Sequence, residues 1–153
     1  ARTIGDAADD TTRERLSMAA AGLRLAREHP LTGIGPGQVK HFYPRYAPPE
    51  AMRRSTSHLH DSPLQILVER GVPALAAWLW LWAAYFARAV RTLGRLPAEA
   101  AGDRALVTGA VMAAAAFLVT GLFEYSFGDT EVLLATLAVM ALPFVVERSA
   151  ATA

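Results

Sequence analysis

Three stretches of this chain abandon the usual mixture of apolar and polar positions. The first runs from Gly71 to about Val90, and its first seventeen residues, to Ala87, carry no charge. Ala105 to Phe123 gives nineteen uncharged residues, and Val132 to Val146 gives fifteen. A helix that crosses a bilayer needs roughly 20 mainly apolar residues, within a range of about 17–25. The first two stretches meet this directly, and the third meets it when Gly128 to Glu131, or Glu147, lies at headgroup level. A greasy soluble bundle would still show a polar face with a period of 3.6 residues. The second stretch, ALVTGAVMAAAAFLVTGLF, has only Thr and Gly outside the apolar set. The pattern therefore predicts an all-α, polytopic membrane protein, with transmembrane helices at about 71–90, 105–123 and 129–147 in a region spanning 71–147. Gly109, Ala113, Ala114 and Gly121 are small residues of the kind that let membrane helices pack closely. Trp78, Trp80, Trp82 and Tyr85 are expected toward the lipid or its interface.

Residues 1–70 read differently, as a mixed polar region with one amphipathic helix. Thr11 and Glu14 fit a capping box, in which each side chain satisfies the other's free backbone N–H. Leu16, Ala20 and Leu23 follow at helical spacing. The helix should stop near Glu28, because His29-Pro30 disfavours its continuation. Gly33-Ile34-Gly35-Pro36-Gly37 resembles a nucleotide-binding glycine loop only superficially. No strand precedes it and no βαβ unit follows, so tight turns between helices are the better reading. Tyr43, Pro44, Tyr46, Pro48 and Pro49 then suit an irregular loop with packed aromatics.

Charge orients these elements. The first seventy residues hold ten of the fifteen Lys/Arg and eight of the fourteen Asp/Glu. The connector 88–104 carries Arg88, Arg91, Arg95 and Arg104, whereas the turn before the third span carries Glu124, Asp129 and Glu131 and no basic residue. The positive-inside rule places the Arg-rich connector and the C-terminus in the cytoplasm, and residues 1–70 outside. The ten basic residues outside are tolerated because the rule weakens for segments longer than roughly 60 residues. An outer segment should follow an earlier membrane helix, and the polar start at Ala1 reads as a cut through a larger protein. The net charge of +1 offers no field for nucleic acid, and the absence of cysteine excludes disulfides and thiol chemistry.

Two sets of side chains carry possible chemistry. Arg13, Arg15, Arg24 and Arg27 lie on the first helix, with Arg53 and Arg54 further on. Each of the four helical arginines is either a solvated surface group or part of a phosphate clamp, since guanidinium bonds phosphate oxygens in pairs, whereas Arg53 and Arg54 add local positive charge. Ser57-His58-Leu59-His60-Asp61-Ser62-Pro63 precedes the helix that leads into the first span. It reads as a plain surface loop, as a metal site from His58, His60 and Asp61, or as acid/base chemistry by one histidine at the membrane surface.

The string from His60 to Pro73 resembles the O-antigen ligase and polymerase family. That family carries His, then Asn, Ser or Gln, nine residues, Gly, two residues, and Gly, Thr or Tyr. Here His60 is followed by Asp61, nine residues, Gly71 and, at the last position, Ala74. The stretch from His29 to Gly37 is similar to another recurrent part of the same loop. The resemblance implies a metal-independent, cofactor-free glycosyltransferase of the bacterial inner membrane, with residues 1–70 as a periplasmic loop. Its donor would be an undecaprenyl-diphosphate-linked glycan, and its acceptor a hydroxyl of lipid A core or of a growing glycan. His60 matches the family's essential histidine. Arg15 or Arg13 matches an arginine that holds the diphosphate, and His58, Asp61 and Glu124 are possible accessory groups. A non-catalytic membrane protein that binds or exports polysaccharide lipids, through an arginine patch alone, is the alternative.

Overall fold

The computed structural model describes residues 4–150, with side chains from Asp10 onward. It is 75% helix, with no strand among the described residues. The helices are α1 (Ile4–Glu28), α2 (Val39–Tyr46), α3 (Ser62–Arg95), α4 (Ala101–Gly121) and α5 (Thr130–Ala150), with a 3-10 turn at Ser126–Gly128. Helices α3, α4 and α5 are each long and apolar enough to cross a membrane. The chain forms two compact units, Ala1–Ala76 with Gly121–Tyr125, and Ala77–Thr120 with Ser126–Ala153.

In the first unit, α1 begins at Ile4, seven residues before the expected cap. Thr11 therefore lies inside the helix, and the capping box does not form. The acidic composition of residues 6–10 suits the first turns of a helix, whose free N–H groups carry partial positive charge. The buried face also differs from the expected stripe. Leu16 and Leu23 are exposed, while Met18, Ala21 and Leu25 pack with Val39, Tyr43, Leu59 and Val68. Small residues take this face because the loop before α3 and the first turn of α3 come close: a Cβ at Gly22 would lie 2.9 Å from side-chain carbons of both Leu59 and Leu64.

The glycine turns have a structural task. Helix α3 is broken at Gly71, whose φ of 79° and ψ of 178° lie in a region essentially restricted to glycine. The break leaves carbonyls without their usual partners four residues on. Pro73 has no N–H for the Glu69 carbonyl, and the Val72 N–H turns away to the Pro30 carbonyl at 2.7 Å. The glycine segment fills both vacancies. Ile34 N–H donates to the Val68 carbonyl and Gly35 N–H to the Glu69 carbonyl, each at 2.9 Å. Backbone meets backbone here, and only hydrogen fits between. A Cβ on Gly33 would lie 2.3 Å from the Glu69 carbonyl carbon, and one on Gly71 would lie 2.2 Å from the Leu31 oxygen.

The second unit is held by aromatic packing. Trp82, Tyr85 and Ala89 of α3 bury against Ala114 and Phe117 of α4 and Met140 of α5. Trp78, Trp82 and Tyr85 recur at helical spacing and form the inward stripe. Only Trp80, 72% exposed, takes the outward place expected of all four aromatics. Of the small residues, Ala114 is buried in this cluster, whereas a Cβ on Gly109 would meet nothing within 4 Å. The arginines of the connector are partly engaged. Arg88 pairs with Glu147 at 2.8 Å, Arg95 approaches the same carboxylate at 3.6 Å, and Arg104 donates to the Leu93 and Leu96 carbonyls at the end of α3.

Candidate functional site

The site is assembled in the first unit from the start of α3 upward. Asp61 accepts the Leu64 N–H at 2.7 Å and so caps the helix. Asn, Ser and Asp are nearly equivalent in that role, which accounts for Asp where the motif has Asn or Ser. Asp61 is thereby committed to the backbone, not to a ligand cluster with the histidines. Gln65, one turn on, accepts the Leu59 N–H and donates to Glu69, both at 2.8 Å. Glu69 in turn accepts the Gly37 N–H at 2.8 Å. This buried polar ladder joins the glycine turns to the histidine loop through the first two turns of α3. Buried polar groups are stable only when their partners are present, so the loop position is set by a nearly complete network.

His60 lies between these anchored neighbours with φ at 52°, the one described non-glycine residue with positive φ. Such a conformation carries a cost of order 1–3 kcal/mol and persists where surrounding structure fixes it. Its Nδ1 lies 2.9 Å and 3.1 Å from the two carboxylate oxygens of Glu124. Ser62 donates to the Glu124 carbonyl at 3.0 Å, so the first residue of α3 also fixes the acidic partner. The hydrogen bond from His60 holds the Glu124 carboxyl below its ordinary value of 4.5, against a smaller opposing effect of burial. An ionised carboxylate only accepts, so Nδ1 carries the proton and, in the neutral ring, Nε2 is left with a free lone pair. His58 packs edge-on to His60 at 4.6 Å between ring centroids and lies 6.3 Å from Tyr125. Burial, and then the neighbouring His60, push the His58 imidazole below its ordinary 6.5, which favours its neutral form.

A cavity of about 430 Å³ opens beside this pair. Glu14 and Arg15 of α1, Met52 and Arg53 of the intervening loop, His60 and Glu124 all border it. Arg15 stands over the Phe123 ring at 5.6 Å and has no carboxylate partner among the described residues. Arg13 is exposed and does not border the cavity. Arg54 is occupied elsewhere, donating to the Pro48 and Pro49 carbonyls. The geometry thus brings His60, Glu124 and Arg15 together and leaves Arg13 and Asp61 apart from them. It adds Arg53 and Glu14, which sequence reasoning treated as local charge and as a capping partner. Spacing alone could have placed Glu14 beside Arg15, but its burial depends on Met52, whose N–H it accepts at 3.2 Å. His58, His60 and Glu124 can each offer one ligand atom within 4.8 Å of the others, which makes them the candidate metal-holding group among the described residues.

A family model described as O-antigen ligase matches residues 1–79, just over half of the chain and all of the His60–Gly71 motif. No curated protein matches it.

Proposed function

The chain belongs to the O-antigen ligase family, and on that premise we propose that it carries the catalytic histidine and a diphosphate-binding arginine of a membrane glycosyltransferase. Family and apolar helices together point to a membrane protein of polysaccharide biosynthesis that works on lipid-linked glycans. The observation that carries the finer reading is the His60–Glu124 pair bordering one cavity with Arg15. The donor is a glycan on undecaprenyl diphosphate, and the acceptor is a hydroxyl of lipid A core or of a growing glycan. Nε2 of His60 takes the proton from that hydroxyl, and its oxygen forms the new bond to the anomeric carbon. The old bond to the diphosphate oxygen breaks, and the lipid diphosphate leaves with the electron pair. Arg15, with Arg53 close by, stabilises the charge that grows on the leaving group. Glu124 holds the ring in the useful tautomer and stabilises the imidazolium that forms. Residues 1–70 face the periplasmic side of the inner membrane, and the Arg-rich connector faces the cytoplasm.

The test is His60→Ala, assayed by polysaccharide transfer in cells at matched protein levels. A general base contributes typically about 10²–10⁴-fold, and a loss of that size is expected. Full transfer by the variant rules the base out. A second reading rests on the ligand atoms of His58, His60 and Glu124 lying within 4.8 Å of one another. It predicts that a chelator abolishes transfer and that zinc restores it.

A further inference from the structure

One turn outside the site carries a large apolar side chain into the open. Leu31, three residues past the end of α1, is 70% exposed. A single exposed leucine on a water-facing surface is ordinary. Leu31 differs because its backbone fixes the level at which it stands. The Pro30 carbonyl accepts the Val72 N–H at 2.7 Å. The Leu31 carbonyl oxygen lies 2.2 Å from the place that a Cβ on Gly71 would take. The turn is therefore docked on α3 at Gly71 and Val72.

That point is where α3 changes character. Glu69 and Arg70 are its last charged residues before the seventeen uncharged ones from Gly71 to Ala87. In a helix long and apolar enough to span a bilayer, such a boundary marks the edge of the hydrocarbon, because a charged side chain is costly deeper in. Arg70 is exposed, and its long stem lets the charge stay among the headgroups. Leu31 and the 49% exposed Val72 thus share one level, at the acyl-chain boundary.

The polar groups of the turn fit such a place. Backbone near hydrocarbon finds little water, so its donors and acceptors are bonded within the protein. Pro30 has no N–H to satisfy, and its carbonyl is held by Val72. The His29 carbonyl accepts the Gly33 N–H at 3.0 Å. The Thr32 hydroxyl donates to the Gly33 carbonyl at 3.2 Å.

We infer that the Pro30–Thr32 turn is a bilayer-docking element, in which the Leu31 side chain sits among phospholipid acyl chains. It gives the first unit a foothold in the lipid beside α3 itself. The glycine segment that follows bonds to the Val68 and Glu69 carbonyls. Glu69 in turn belongs to the polar ladder that ends at Leu59, next to His60. The foothold therefore helps to hold the histidine loop at a fixed height over the lipid. Docking of this kind is independent of the chemistry at His60.

The experiment is a depth measurement by spin labelling. The chain has no cysteine, so Leu31→Cys takes a single nitroxide, and the open position of the side chain leaves the core intact. The labelled protein is placed in nanodiscs of phosphatidylethanolamine and phosphatidylglycerol. Collisions of the label with oxygen, which concentrates in lipid, are compared with its collisions with a water-soluble nickel chelate. Lipids labelled at known acyl positions supply the depth scale. The label at position 31 should lose most of its nickel collisions, gain oxygen collisions and match a lipid labelled near the top of the acyl chain. A label that meets nickel as freely as one in water overturns the inference. So does an immobile label shielded from both reagents, because a protein segment then covers the turn in place of lipid.

Discussion

The two units of this chain place their polar groups in opposite ways. The unit formed by Ala77–Thr120 and Ser126–Ala153 gathers tryptophan, tyrosine and phenylalanine inward. The polar side-chain atoms of Trp78, Trp82 and Tyr85 are buried there without partners. Apolar packing, led by the aromatic rings, holds that cluster, and small shifts of a ring are absorbed by its apolar neighbours. The unit formed by Ala1–Ala76 and Gly121–Tyr125 instead spends its interior on a chain of specific bonds, from Leu59 through Gln65 and Glu69 to Gly37. Such a network tolerates little displacement, because each member is satisfied in one geometry. Nonpolar packing suits elements that need only be held together. A directed network suits an imidazole that must be held at one point.

A single methyl group should separate the two kinds of construction most sharply. At Gly71, Ala would add a Cβ 2.2 Å from a backbone oxygen, at a φ that alanine rarely adopts. The conformational part costs about 1–3 kcal/mol and the overpacking about 1–3 kcal/mol. Gly71→Ala should therefore lose roughly 2–6 kcal/mol in thermal or denaturant unfolding, with transfer activity falling alongside. Gly33→Ala should behave in the same way. Gly109→Ala, which meets nothing, should change stability by less than about 1 kcal/mol. Equal losses at Gly71 and Gly109 would break the contrast between the units.

The next effect concerns function alone. Removing one preorganised donor to a developing charge typically costs about 10²–10³-fold in rate. Arg15→Gln should lose about 10²-fold in transfer, whereas Arg13→Gln, on the exposed side of the same helix, should lose less than about threefold, as surface substitutions usually do. Rates measured in membranes at matched protein levels decide between them. A reversed order would move the proposed diphosphate site off the cavity.

The same contrast governs what the amino-acid sequence made legible. Apolar helices announce themselves by length and lack of charge, and α4 and α5 follow the tracts Ala105–Phe123 and Val132–Val146 closely. Their inward faces were not legible. Trp80 and Trp82 sit in similar surroundings in the sequence, and only the neighbouring helices decide that one is exposed and the other buried. In the first unit, His60 and Gly71 were visible through their spacing, and Glu124 through its place in the acidic turn. The reason for the spacing was hidden. It lies in hydrogen bonds from residues 34 and 35 to carbonyls at 68 and 69, far apart along the chain. Helical periodicity also misplaced the buried face of α1, because a stripe of leucines outranks Ala21 and Gly22 by hydrophobicity but cannot make their close approach to the histidine loop.

The smallest predicted effect probes the directed network at its centre. The hydrogen bond from His60 is the leading reason that the Glu124 carboxyl lies below 4.5. An acid depressed on folding contributes stability above its unfolded value, and that contribution is lost as pH falls through the folded value. The pair should therefore stay intact at neutral and mildly acidic pH and open only below the ordinary carboxylate range. Glu124 is more than half exposed, so solvent screens the pair and its effect on overall stability is slight. The direct measurement is a carbon-13 NMR titration of the Glu124 carboxyl. Its midpoint should fall below 4.5 in the wild type and rise in His60→Gln, where the leading stabilising bond is gone while burial still raises it and the Tyr125 backbone and His58 still lower it. A midpoint indifferent to residue 60 would mean that imidazole and carboxylate do not act together. The first unit would then lose the directed pair that most distinguishes it from the aromatic unit.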